Sequence, residues 1–170
     1  MVKEQISSLF YGRLKEELER AALDYEHLQE IRIRTGQPVF FIQSGVEHLL
    51  NITAGQKDIK EILEAACGYS GYAYEEEISK GYVTIAGGHR IGMAGRAVMN
   101  EKGVQTLKYI SALNIRVAHP VTGCAEKWKK YIYRKNMLCH VLIISPPGCG
   151  KTTLLRDMIR MISNGEYNCP

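Results

Sequence analysis

The feature that most constrains this chain is an uninterrupted succession near its C-terminal end: an apolar run, a glycine-bearing turn and an amphipathic stretch. Residues 138–144 read as a strand buried on both faces, because apolar side chains run on without period-two alternation. Residues 151–163 place Leu154, Leu155, Met158, Ile159 and Ile162 at helical spacing. Between them stand Ser145, Pro146, Pro147, Gly148, Cys149, Gly150, Lys151 and Thr152, in the spacing of a P-loop. Strand, loop and helix together turn a short motif into a specific one.

Each residue type in that loop has a physical task. Gly148 and Gly150 allow positive φ and let the backbone approach an anion with no Cβ in the way. The inward-facing N–H groups form a nest for phosphate, and the following helix adds its free N–H groups, Thr153 included, and its positive dipole end. Lys151 offers a full positive charge to the β- and γ-phosphates, and the Thr152 hydroxyl is suited to coordinate Mg²⁺. The expected ligand is therefore ATP with Mg²⁺. One position departs from the common pattern: Ser145 stands where glycine is usual.

At 170 residues the chain holds one good domain, or a small domain and part of another. Its net charge of +4 is too small to argue for nucleic acid, so no nucleic-acid partner is expected. No run approaches the roughly 18 apolar residues of a membrane span, and the N-terminus lacks the apolar centre of a secretory signal. A cytoplasmic protein is the expectation. The five cysteines form no C-x-x-C pair and read as reduced thiols, with neither a disulfide framework nor a zinc site.

Upstream of the loop the periodicity changes. Ile6, Leu9, Phe10, Leu14, Leu18 and Ala21 make the stripe of one amphipathic helix, loosened by Gly12. Residues 30–34 alternate charged and apolar, as a half-buried strand does, and residues 39–42 follow as a second strand after a Gly-Gln-Pro turn. Thr53 and Gln56 have the spacing of a capping box, opening a helix with Ile59, Ile62, Leu63 and Ala66 on one face. Residues 82–85 and 90–98 flank Gly87-Gly88 as a hairpin; a turn over residues 100–103 and a strand over residues 113–118 follow. The prediction is an α+β N-terminal domain, residues 1–118, with a largely antiparallel sheet. A linker and basic helix over residues 119–137 come next, with Trp128 and Ile132 on one side. Residues 138–170 then begin an α/β RecA-like P-loop domain.

Several separated stretches also resemble a known family: residues 30–38 (EIRIRTGQP), 74–77 (YEEE), 81–96 (GYVTIAGGHRIGMAGR), 110–118 (ISALNIRVA) and 144–157 (ISPPGCGKTTLLRD). Together they resemble the stage III sporulation protein AA family, itself similar to the type II and type IV secretion ATPases. The resemblance implies a sensing domain joined to a RecA-like ATPase, assembled as a homo-oligomer, a hexameric ring. It implies a role in endospore formation, energising a channel between mother cell and forespore from the cytoplasmic face of a membrane, with membrane-channel proteins as partners. It further implies that Arg90 and Arg96 reach a γ-phosphate at a subunit boundary, a task suited to the always-charged, bidentate guanidinium.

Such a motor needs an acidic residue at a later strand end to hold Mg²⁺ and position water, and no such strand follows residue 163. The expectation is a truncated motor domain that hydrolyses ATP no faster than background when alone. A second reading is a non-catalytic module in which residues 1–118 dock to a membrane partner and nucleotide is a structural ligand. A small-molecule kinase or a nucleic-acid ATPase fits the antiparallel segment and the weak charge less well. Blander readings attach to other residues: a solvated helix end for Glu75–Glu77, a solvated face for the basic helix, packing for Tyr69, Tyr72 and Tyr74, a turn position for His89, and a small filler for Cys149.

Overall fold

The computed structural model describes residues 2–68, 75–101, 103–134 and 137–166. The chain divides into two compact units, Met1–His119 and Pro120–Pro170.

The first unit contains α1 (Val2–Ser7), α2 (Gly12–Arg20), β1 (Leu28–Arg34), β2 (Pro38–Gln43), β3 (Val46–Thr53), α3 (Gln56–Ala66), α4 (Glu75–Ser79), β4 (Tyr82–Thr84), β5 (Arg90–Asn100) and β6 (Gly103–Arg116). Among the described residues the strands form one sheet in the order β3-β2-β1-β6-β5-β4. Every neighbouring pair is antiparallel, so the α+β antiparallel expectation holds. In β1, Ile31 and Ile33 are fully buried while Glu30, Arg32 and Arg34 alternate onto the other face, as the sequence pattern requires. Ile6, Leu14, Ile59 and Ile62 from the helices and Phe10 from the α1–α2 connection join Ile31, Ile91 and Ile115 from the strands in one core. Each such side chain contributes about 1.5–3 kcal/mol on burial.

Three local expectations are corrected. The single N-terminal helix is broken: α1 ends at Ser7 and α2 starts at Gly12, whose φ is +50°. Leu9 and Phe10 lie in the connection between the two helices and are both buried, as the stripe required, while Leu23 rather than Ala21 completes it. Strand β3 was not foreseen. It follows a two-residue turn in which Ser44 (φ +52°) and Gly45 (φ +78°) are both left-handed, the geometry that twists a hairpin correctly. The capping box is displaced, since Thr53 is the last residue of β3 and the Asp58 carboxylate accepts the Gly55 N–H at 2.6 Å. Gln56 instead accepts from the Thr35 hydroxyl at 3.1 Å and donates to the Ile110 carbonyl at 2.8 Å.

His89 ends the turn before β5 and is 1 % exposed. Its Nδ1 accepts the Ala118 N–H at 2.9 Å, so the ring proton sits on Nε2, which donates to Gln5 Oε1 at 3.0 Å. A turn residue in the sequence is thus the buried tie between α1 and the end of the first unit. Burial, and then the neighbouring His119, hold its imidazole below the ordinary histidine range.

Glu76 pairs with Lys80 at 2.6 Å on the exposed side of α4, as a solvated helix end does, and Glu77 accepts the Thr84 N–H at 2.8 Å. Tyr69, Tyr72 and Tyr74 lie outside the described residues. No helix among the described residues is long and apolar enough to cross a membrane.

Candidate nucleotide-binding site

The second unit contains α5 (Lys129–Ile132), β7 (Tyr133–Arg134), β8 (Met137–Leu138) and α6 (Lys151–Ser163). Among the described residues, strands β7 and β8 pair only with each other. The predicted basic helix is reduced to a 3₁₀ turn at Glu126–Trp128 and the single turn of α5. Ile132 is buried with Met158 and Met161 of α6, whereas Trp128 is exposed: only one side of that turn meets α6.

The predicted buried strand over residues 138–144 is also corrected. Beyond Leu138 this segment carries no regular structure, and Leu142 and Ile144 are 82 % and 83 % exposed. A strand hidden on both faces needs ladder partners and a layer on each side, and no described strand of this unit lies beside residues 139–144. A cavity of about 480 Å³ is lined by residues of this segment and of α6, among them Leu142, Ile144, Lys151 and Leu154, with Trp128 and Cys149.

The loop itself is formed. Gly148 (φ +78°) and Gly150 (φ +77°) are both left-handed, and Gly150 caps α6. Nothing lies within 4 Å of a Cβ added at either, so these glycines are required for backbone conformation and not for space. The first bond of the helical ladder runs from the Leu154 N–H to the Gly150 carbonyl at 2.9 Å. The N–H groups of Lys151, Thr152 and Thr153 therefore precede the ladder and stand at the positive end of α6. Ser145 is not at positive φ, which explains why a side chain is tolerated where glycine is usual. Pro146 and Pro147 contribute carbonyls and no N–H.

The Lys151 ammonium donates to the Ser145 carbonyl at 2.6 Å and the Pro146 carbonyl at 2.8 Å, with Ser145 Oγ at 3.4 Å. It thereby spans the loop from helix to entry. A bound phosphate would exchange these neutral acceptors for a charged one, and charge-assisted bonds are roughly twice as strong. The Thr152 hydroxyl, exposed in the first helical turn, is the loop's candidate ligand for Mg²⁺. Cys149 is exposed beside it.

One supporting residue was missed. Asp157, on α6, is buried, accepts the Ala125 N–H at 2.8 Å and pairs with Arg160 at 2.9 Å. The Ala125 N–H first, and the Arg160 guanidinium after it, hold its carboxyl below the usual range despite desolvation. It moors the segment after the unit boundary to the helix that carries the loop. The available signal was an aspartate among the apolar positions Leu154, Met158 and Met161.

Arg90 and Arg96 belong to the first unit. Both are exposed on β5 and alternate with Ile91 and Met93, so they share the face opposite the core. The Arg90 guanidinium lies 3.5 Å from the centroid of Tyr82.

A loop of this geometry at the start of a helix, preceded by a six-stranded antiparallel α+β unit, defines a class of chain rather than a particular one. The model of the family described as "Sporulation stage III, protein AA" matches residues 1–170, and the chain belongs to that family. It is 45 % identical over 141 residues to the stage III sporulation protein AA of Bacillus subtilis (strain 168), covering 83 % of this chain and 46 % of the relative. The chain thus spans about half the length of that relative. Among solved structures it is similar to the ATPase DotB of Legionella pneumophila, at a TM-score of 0.48 and 18 % identity over 88 % of this chain and 41 % of the other. It is also similar to the VirB11 ATPase of the Brucella suis type IV secretion system, solved with sulphate, at a TM-score of 0.38 and 15 % identity over 92 % and 45 %.

Proposed function

We propose that this chain binds ATP with Mg²⁺ through residues 145–152 and forms the nucleotide-holding part of a secretion-type ATPase of endospore formation. The observation that carries the reading is the start of α6. Two left-handed glycines deliver three ladder-free N–H groups and the Lys151 ammonium to one loop. In this reading the backbone of Pro147–Gly150 and the N–H groups of Lys151, Thr152 and Thr153 hold the phosphates. Lys151 supplies the charge, and Thr152 holds the metal, which would neutralise phosphate charge during transfer. Ser145 and Pro146 position Lys151 until phosphate replaces them. The longer family member assembles as a ring at the cytoplasmic face of a membrane, works on channel proteins there, and Arg90 or Arg96 answers the phosphate of a neighbouring copy. For this chain the activity proposed is nucleotide binding, which the loop, Lys151 and Thr152 carry directly.

The test is calorimetric titration of the full chain with MgATP. Lys151→Ala should weaken binding by about ten- to a hundred-fold, the loss expected for one charge-assisted contact, with an unchanged circular dichroism spectrum. Wild-type affinity in that variant would remove the loop from consideration.

A further inference from the structure

The far half of the β5–β6 hairpin leaves the sheet. Strand β1 pairs with β6 only over Ala112–Arg116, and β4 pairs with β5 only over Arg90–Gly92. Over residues 95–101 and 103–110 these two strands are, among the described residues, paired only with each other, while α4 packs against β6. A two-stranded ribbon is only marginally stable by itself, and beyond the Ile110 carbonyl, which accepts from Gln56, no other described strand pairs with its outer edges.

The ribbon is sorted by charge. Arg96 and Lys108 stand directly opposite each other across the strands, and neither is in an ion pair among the described residues. Like charges at opposed positions are destabilising, and a shared anion removes that penalty. Met99 and Val104 form the next exposed apolar pair, 64 % and 43 % exposed. Arg96 and Met99 are three positions apart on β5, so alternation turns the two pairs to opposite faces, and the bulge in β6 between Thr106 and Val104 takes up the extra residue there. Tyr109, 77 % exposed and at φ +52°, marks a bulge where β6 departs from the regular ladder.

This sorting selects the partner. A lipid surface or a nucleic acid meets one face of a ribbon, and would leave either the cation pair or the apolar pair uncovered. An added strand reaches both, because its own side chains alternate. We propose that the Gly95–Ile110 ribbon is a docking arm that accepts, along a free edge, an extended protein segment alternating acidic and apolar residues. Its carboxylates would lie over Arg96 and Lys108 and its apolar side chains over Met99 and Val104. Arg96 is also one of the two arginines proposed above to answer a neighbouring copy's phosphate, so the peptide titration is made without nucleotide, where only the docking role is read.

The probe is a fluorescent ten-residue peptide alternating glutamate and valine, titrated with the full chain at low and high salt. A peptide of the same composition with its glutamates in one block, and an oligo(dT) of matched charge, are run beside it. The expected result is salt-sensitive binding of the alternating peptide, at least about ten-fold tighter than the blocked peptide. Arg96→Glu with Lys108→Glu should weaken it about ten-fold or more, and Arg96→Gln with Lys108→Gln by less. Lys57→Glu with Lys60→Glu, an equal charge change on α3, should leave it unchanged. Equal binding of the two peptides, equal loss in the α3 control, or tighter binding of oligo(dT) with the same dependence on Arg96 and Lys108 would each overturn the proposal.

Discussion

His89→Phe keeps a ring of similar bulk in a site that is 1 % exposed, and removes two hydrogen bonds from it. Gln5 Oε1 loses the Nε2 proton at 3.0 Å, but this half-buried side chain can turn toward water, so that loss is small. The Ala118 N–H, which donates to Nδ1 at 2.9 Å, has no such escape because phenylalanine offers no acceptor. Orphaning a buried donor costs about 1–3 kcal/mol, and this part-buried one is due the lower end, about 1 kcal/mol. With a urea dependence of about 1–3 kcal/mol per molar for a domain of this size, the unfolding midpoint of the first unit should fall by up to about 1 M. Urea unfolding followed by far-ultraviolet circular dichroism gives the midpoint, and hydrogen exchange at the Ala118 amide reports the bond itself. An unchanged midpoint, with the Ala118 amide as protected as in the wild type, would show that the imidazole only fills space.

The same residue sets a pH dependence. Its folded pKa lies below the ordinary 6.5, so between those two values the unfolded chain binds more protons than the folded one. Stability of the first unit should fall as pH drops from 6.5 toward the folded value and change no further from this source below it; chemical denaturation across pH should show this slope in the wild type and lose it in His89→Phe. Leu142→Ser should change the stability of this chain by less than about 0.5 kcal/mol, as at other exposed positions, against the several kcal/mol due if the side chain were in a core; thermal melts decide between these. Asp157→Ala should free the Ala125 amide, raising its exchange rate roughly tenfold or more while the first unit's protection stays as it was.

What could be read from residues alone was whatever local geometry repeats. β1 is an alternation of Ile31 and Ile33 with charged neighbours, and the β4–β5 hairpin announces itself by strand-like runs around Gly87-Gly88, whereas the first ten residues of β6, from Gly103, carry no such signal. The loop at 145–152 is specified by glycines that reach left-handed φ and by a lysine placed at the helix start, so its spacing was legible without neighbours. Properties that depend on what lies across from a residue were not. Whether residues 139–144 form a strand rests on ladder partners from elsewhere in space, and the apolar run records only that such partners suit it. The break between α1 and α2, the buried imidazole of His89 and the mooring role of Asp157 depend on the surface each meets. Hydrogen-bond partners 84, 29 and 32 residues away in sequence make those positions what they are. Periodicity is a property of one segment, whereas burial and hydrogen bonding are properties of pairs, and distant pairs exist only once the chain has folded.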